Sequence, residues 1–154
     1  MDVAALNSLI QEIVKQAFEL KNKHTDAKDA PVNYACIFSQ NKGQYEELIK
    51  TAEKVGAVVK HTSSGPLFQI TPLVTISGKL RLLKIRVPDI TRPEMGDADF
   101  TVENYLEFKK TVLLKKGFKL VPRENFEMIE LMDSKFNVRV YFSHPPLDEQ
   151  LKIK

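Results

Sequence analysis

Apolar residues at helical spacing mark three segments of the chain. The longest spans residues 2–22, where apolar side chains recur at intervals of three and four: Val3, Leu6, Ile10, Ile13, Ala17 and Leu20. This spacing predicts an amphipathic N-terminal helix. Similar patterns predict helices over residues 44–55 and from Thr101, as N-cap, to about Lys116. Gly56 follows the middle helix, where a left-handed C-terminal cap is expected.

Short apolar runs, several of them alternating with polar residues, predict strands between and after these helices. The predicted strands cover residues 34–38, 57–61, 67–70, 79–87, 97–100, 118–122, 126–132 and 137–143. In the strand 79–87 the alternation changes phase after Leu83. Such a slip of one residue indicates a β-bulge, which bends a strand.

The predicted elements occur in the same order twice. Residues 33–87 and 97–146 each read as strand, helix and three strands. The two middle helices share Tyr, Glu, Lys and Thr at matching offsets, beginning at Tyr45 and Tyr105. The sequence therefore predicts one compact α+β domain. It contains two β-α-β-β-β modules that form curved sheets around a cleft, preceded by the N-terminal helix over residues 1–24.

This order resembles the vicinal oxygen chelate superfamily, which includes glyoxalase I, bleomycin-resistance proteins and extradiol dioxygenases. The second copy carries the likeness best, in Asp97–Tyr105, Lys116–Leu120 and Asn137–Phe142, which is followed by Pro145-Pro146. The resemblance covers residues 33–146. It implies that helices cover the convex side of each sheet, while the concave side holds a divalent metal and the substrate of a lyase, isomerase or dioxygenase. The implied ligands are His, Glu or Gln on the first and last strands of each module.

This chain departs from that ligand set. The strand positions that the resemblance assigns to ligands carry mainly cationic or weakly coordinating side chains: Tyr34, Cys36, Arg81, Lys84, Arg86, Asp97, Asp99, Arg139 and Tyr141. Several cations on the concave side of the sheets would repel a metal ion, because its preferred ligands are neutral imidazoles, thiolates and carboxylates. The three histidines, His24, His61 and His144, are too far apart in the sequence for any two to lie on the same strand or helix. We therefore expect no metal site and no cofactor, and whether the protein is an enzyme stays open.

Strand alternation predicts which side chains share the face opposite the helices. The set is Arg81, Lys84, Arg86, Asp97, Asp99, Arg139 and Tyr141. One interpretation is a solvated sheet face with salt-bridging charges. The other is a pocket for a small organic anion, because arginine forks bind carboxylate or phosphate in bidentate fashion. The loop 88–96 is either a crossover between modules or a rim that closes over the cleft.

Composition narrows the function classes. The chain has 43% hydrophobic and 28% charged residues, which is ordinary for a globular protein. A net charge of +3 without a block of five basic residues argues against nucleic acid. No apolar run reaches membrane-spanning length and no secretory signal is visible, so the expected location is the cytoplasm. The single cysteine, Cys36, predicts a buried thiol.

The sequence thus predicts a metal-independent binding or assembly protein with a cleft for a small organic anion. The alternatives are a metal-dependent enzyme of the same fold and, more weakly, a nucleic-acid or protein interaction module. The spacing of the N-terminal helix fits packing on its own chain, and also fits a coiled-coil seam that would form a homodimer.

Overall fold

The computed structural model describes residues 1–153 as an α+β fold with one eight-stranded mixed sheet and four helices. The helices are α1 (Val3–His24), α2 (Lys42–Ala52), α3 (Tyr105–Val112) and α4 (Leu147–Gln150). The strands are β1 (Val32–Phe38), β2 (Gly56–Thr62), β3 (Gly65–Thr75), β4 (Gly78–Arg86), β5 (Gly96–Phe100), β6 (Phe118–Pro122), β7 (Glu127–Leu131) and β8 (Val138–His144). All eight predicted strands are therefore confirmed, with ends that differ by a few residues. Within residues 1–153, no helix is both long and apolar enough to cross a membrane.

The sheet is symmetric about its central pair of strands. Its order is β2-β3-β4-β1-β5-β8-β7-β6. On each side the first strand of the half is parallel to its last strand, β1 to β4 and β5 to β8. The two halves meet where β1 and β5 pair in antiparallel fashion, with Cys36 opposite Asp97.

The core lies between one face of this sheet and the helices α1, α2 and α3. Apart from the half-buried Val3, the apolar stripe of α1 is wholly buried, and the helix contacts β1, β5 and β8, which confirms the prediction of a helix packed on its own chain. The surface that a homodimer through this stripe would use is thus covered by the protein's own sheet. Asp2 begins the helix as its N-cap, because its side chain accepts a hydrogen bond from the Ala5 amide.

Two predictions about helix ends are wrong. The helix α3 begins at Tyr105 rather than after Thr101, because the amide of Thr101 bonds to the carbonyl of Pro31 and keeps the chain extended. Gly56 is not a left-handed cap but the first residue of β2. It must be glycine for another reason, since a Cβ atom there would overlap the carbonyl oxygen of Gln69 on β3.

The irregularity predicted after Leu83 is not at that position, where pairing is regular; a change in register between β3 and β4 lies just before it. The pairing shifts between Gln69 and Leu73 on β3, opposite Leu80 and Leu82 on β4. Leu82 and Leu83 follow this shift and, as consecutive strand residues, point to opposite faces of the sheet, where both are buried. Beyond this point Lys84 and Arg86 lie on the face away from the core, which we call the charged face.

Candidate functional site

A pocket of about 400 Å³ opens on the charged face, across the junction of β1 and β5. Its polar lining includes Tyr34, Cys36, Lys60, Lys84, Arg86, Arg92, Asp97, Arg123, Glu130, Tyr141 and Ser143. A larger depression of about 960 Å³ lies between α2 and the edge strand β2. The charged side chains of that depression, such as Glu46 and Lys50, are exposed helix residues. We therefore place the candidate site on the charged face, where charged groups are buried.

Asp97 lies at the floor of the pocket. It occupies the middle of the sheet, with Cys36 on one neighbouring strand and Arg139 on the other. Its side chain is 6% exposed, and no donor from residues 1–153 reaches its Oδ1 atom. Burial raises the pKa of Asp97 from 3.8 to about 7, although Arg92, Lys84, Arg86 and Arg139 oppose the rise. A carboxyl group in such a setting is typical of a binding or catalytic site.

Two cations of β4 lie on one side of this carboxyl group. Lys84 pairs with Cys36 on β1, and Cys36 in turn pairs with Asp97 on β5. The pKa of Lys84 is lowered because burial leaves its ammonium poorly solvated. Arg86 lies two residues further along and contacts Asp89 with 3.5 Å between Nη2 and Oδ2. Its buried Nε atom has no hydrogen-bond acceptor among the described residues.

The loop between β4 and β5 closes one end of the pocket. The guanidinium of Arg92 lies 5.3 Å from the ring centroid of Phe38, and its Nη1 donates a hydrogen bond to the Tyr141 hydroxyl at 3.2 Å. Gln40 holds the loop, because its Nε2 donates to the carbonyl of Glu94 at 2.9 Å. The loop is therefore both the crossover between the two halves and a rim of the pocket, since Arg92 belongs to the lining.

Arg139 holds that rim and does not line the pocket. Its Nε donates to Glu94 Oε1 at 2.9 Å and its Nη2 to the carbonyl of Thr91 at 2.8 Å. A third contact joins its Nη1 to Glu130 Oε2 at 3.6 Å. Glu130 also accepts a 2.6 Å hydrogen bond from the Tyr141 hydroxyl, whose pKa is raised chiefly by burial. The side chains of Tyr141, Glu130 and Arg139 thus form a wall of fixed geometry.

The seven residues predicted from alternation separate into three groups. Lys84, Arg86, Asp97 and Tyr141 meet at the pocket. Arg139 and Asp99 lie beside it, and Asp99 is wholly buried, accepting a hydrogen bond from the Ser143 hydroxyl. Burial raises the pKa of Asp99 well above its usual value.

Arg81 lies apart from the pocket. Its Nη2 atom is 3.4 Å from Asp148 Oδ2 on α4, and Arg81 is outside the pocket lining. The register shift of β4 separates it from Lys84 and Arg86, because alternation is not continuous across the shift.

Alternation did not identify the remaining charged lining residues. Lys60 and Arg123 come from β2 and from the turn after β6, at opposite ends of the sheet. Glu130 is cross-strand partner to Tyr141. Its position could have been found from the predicted pairing of the last two strands, whereas nothing in the local sequence marks Lys60 or Arg123.

The residues at this site do not fit the divalent metal that the resemblance implies. Throughout residues 1–153, no group of three or more His, Cys, Asp or Glu side chains could hold a metal ion. The neighbour of Asp97 on β1 is Cys36, and burial raises the pKa of that thiol well above its usual value. Lys84, Arg86 and Arg92 act on both groups, so a divalent cation would meet positive charge.

Comparison with known proteins gives the fold and no family. No protein-family model matches the chain, and no curated protein matches it. The fold is similar to that of a solved structure named "Structural Genomics, Protein EC4020", with a TM-score of 0.74 and 11% sequence identity. The similarity covers 97% of this chain and 91% of that one. At this identity it shows a shared fold alone.

Proposed function

We propose that this protein binds a small organic anion in the pocket of the charged face, without a metal ion. The observation that carries the proposal is the charge of the lining. In the described chain, five cationic side chains line the pocket, against the carboxyl groups of Asp97 and Glu130. Asp89 is shared by Arg86 and Arg92, at 3.5 and 3.8 Å, and Glu130 pairs with Arg139. The lining therefore keeps an excess of positive charge for a ligand. Guanidinium and ammonium groups favour carboxylate or phosphate.

The proposal includes the two-module interpretation of the fold. The symmetric strand order supports two β-α-β-β-β modules whose sheets curve around a shared cleft. Lys84 and Arg86 belong to the first module, while Asp97 and Tyr141 belong to the second. A ligand in the pocket would therefore contact both modules, in the way that a cleft between duplicated units is commonly used.

The alternative of a metal-dependent lyase, isomerase or dioxygenase makes a different prediction. Such an enzyme would carry stoichiometric metal when purified without a chelator. The donor set around Asp97 gives this alternative little support, because cations surround the carboxyl group. Metal analysis of the purified protein distinguishes the two proposals directly.

A thermal-shift panel of organic anions tests the proposed function. We expect at least one carboxylate or phosphate ester to raise Tm, relative to sodium chloride at equal ionic strength. Arg86→Gln and Arg92→Gln should each lower the apparent affinity for that anion by about tenfold or more, and so reduce the rise in Tm. The reason is that charge-assisted hydrogen bonds contribute about 1.5–3 kcal/mol each.

Arg81→Gln is the matched control, because Arg81 is also a partly buried arginine of β4 but lies outside the lining. Its affinity for the same anion should stay within about twofold of the wild type. The proposed function is wrong if no anion shifts Tm beyond the chloride control. It is also wrong if all three variants bind every anion as the wild type does.

A further inference from the structure

Two residues of the pocket lining each have one buried polar atom without a partner in the described part of the chain, and these atoms are of opposite character. Within residues 1–153, Asp97 Oδ1 has no donor and Arg86 Nε has no acceptor. Both residues line the same cavity, Asp97 from β5 and Arg86 from β4, with β1 between these two strands. Buried polar groups are nearly always satisfied in native proteins, so a ligand that satisfies both must offer an acceptor and a donor.

The ligand group that donates to Asp97 Oδ1 is more favourable as a neutral group than as a cation. Four cations act on Asp97 from three directions: Lys84 and Arg86 on β4, Arg92 on the rim and Arg139 on β8. An ammonium group placed against Asp97 Oδ1 would be repelled by these cations, and repulsion between like charges is strong where water is excluded. A hydroxyl group can donate to Asp97 without this repulsion.

The rest of the lining indicates the body of the ligand. Apolar side chains from β3, the β6–β7 hairpin and α4 complete the pocket: Leu67, Val121, Phe126, Met128 and Leu147. A cavity of about 400 Å³ with such a wall lies within the usual range for small-molecule sites. It suits a carbon skeleton rather than a fully charged polyanion.

We infer that the ligand is a hydroxycarboxylic acid. Its carboxylate lies against Arg86 and Arg92, and its hydroxyl group donates to Asp97 Oδ1. This inference rests on the proposed function and adds the second recognition element, the hydroxyl. A site built to bond a hydroxyl group discriminates strongly against the analogue that lacks it, because the buried acceptor then stays unpaired.

Matched pairs of acids that differ by one hydroxyl test the inference. Isothermal titration at pH 7.5 would compare malate with succinate, 3-hydroxybutyrate with butyrate and mandelate with phenylacetate, using both enantiomers of each hydroxy acid. In at least one pair we expect a hydroxy acid to bind ten or more times tighter than its partner. In Asp97→Ala that ratio should fall to about one, while the affinity for the acid without the hydroxyl is retained.

The outcomes separate this inference from the proposed function. If acids without a hydroxyl bind the wild-type protein as tightly as their partners, the inference is overturned and anion binding stands. The same holds if aspartate, which carries an ammonium in place of the malate hydroxyl, binds tighter than malate. If none of these acids binds while another anion of the thermal-shift panel does, the inference alone fails; if no anion of the panel binds either, the proposed function fails with it. Asp97→Asn serves as a second variant should Asp97→Ala not fold, and it is expected to weaken the preference for the hydroxyl by at least threefold.

Discussion

Replacing Asp97 with asparagine should stabilise the protein at alkaline pH, although it removes a charge from the proposed site. The folded protein holds the pKa of Asp97 at about 7, compared with an ordinary value of 3.8. Each unit of difference corresponds to about 1.36 kcal/mol, so the ionised carboxylate costs the folded state about 4 kcal/mol above pH 8. Asparagine has similar shape and does not ionise.

The sign follows from proton binding. Between pH 3.8 and about 7 the folded state holds the proton of Asp97 more tightly than the unfolded chain does. The wild-type protein therefore loses stability as pH rises through this window, and the variant does not. From pH 5 to pH 8, the difference in unfolding free energy between Asp97→Asn and the wild type should therefore shift by about 2.5 kcal/mol in favour of the variant.

Urea unfolding at the two pH values measures this quantity. Any cost of the buried amide that does not depend on pH cancels in the comparison. Asp89→Asn is a control without pH dependence in this window, because hydrogen bonds from Thr91 lower the pKa of Asp89 and the carboxylate is ionised in both states at pH 5 and at pH 8. The reasoning is refuted if the difference in unfolding free energy between Asp97→Asn and the wild type is the same at pH 5 and pH 8.

Three further variants test contacts elsewhere in the fold. Gly56→Ala should lower the unfolding free energy by about 1–3 kcal/mol in urea, because its Cβ would overlap the Gln69 carbonyl; an unchanged midpoint would contradict the close approach of β2 and β3. Lys21→Met should cost about 1–3 kcal/mol by the same assay, since the buried ammonium donates to the carbonyl of Ala27 at 2.6 Å; wild-type stability would show that this bond is dispensable. Asp133→Asn should unfold at lower urea than the wild type, with a smaller deficit at pH 2 than at pH 7. Hydrogen bonds, led by that from Lys23, hold the pKa of Asp133 far below 3.8, and their contribution is lost as pH falls; an equal deficit at both pH values would contradict this.

Periodicity predicted most of the fold because the sheet has one apolar face. Ala98 and Phe100 point into the helix-side core, so Asp97 and Asp99 must point the other way. The same rule brought Lys84 and Arg86 to the charged face. The start of α3 could not be predicted in this way, because it depends on a bond from Thr101 to the distant Pro31.

The composition of the site was only partly predictable, for a similar reason. Alternation assigns a face, but it does not say which residues of that face share one cavity. Arg139 and Asp99 are on the predicted face and yet lie beside the pocket, because Glu94 and Ser143 engage them. Arg92 reaches the pocket from a loop, where strand alternation does not apply.

A crystal structure with a bound ligand tests the central claim most directly. The protein would be crystallised with the anion that gives the largest thermal shift, at a concentration that saturates binding in solution. The account predicts density for the anion in the pocket of the charged face, with its acidic group within hydrogen-bonding distance of Arg86 or Arg92. Density for the anion at another site, with this pocket free of it, would contradict the account.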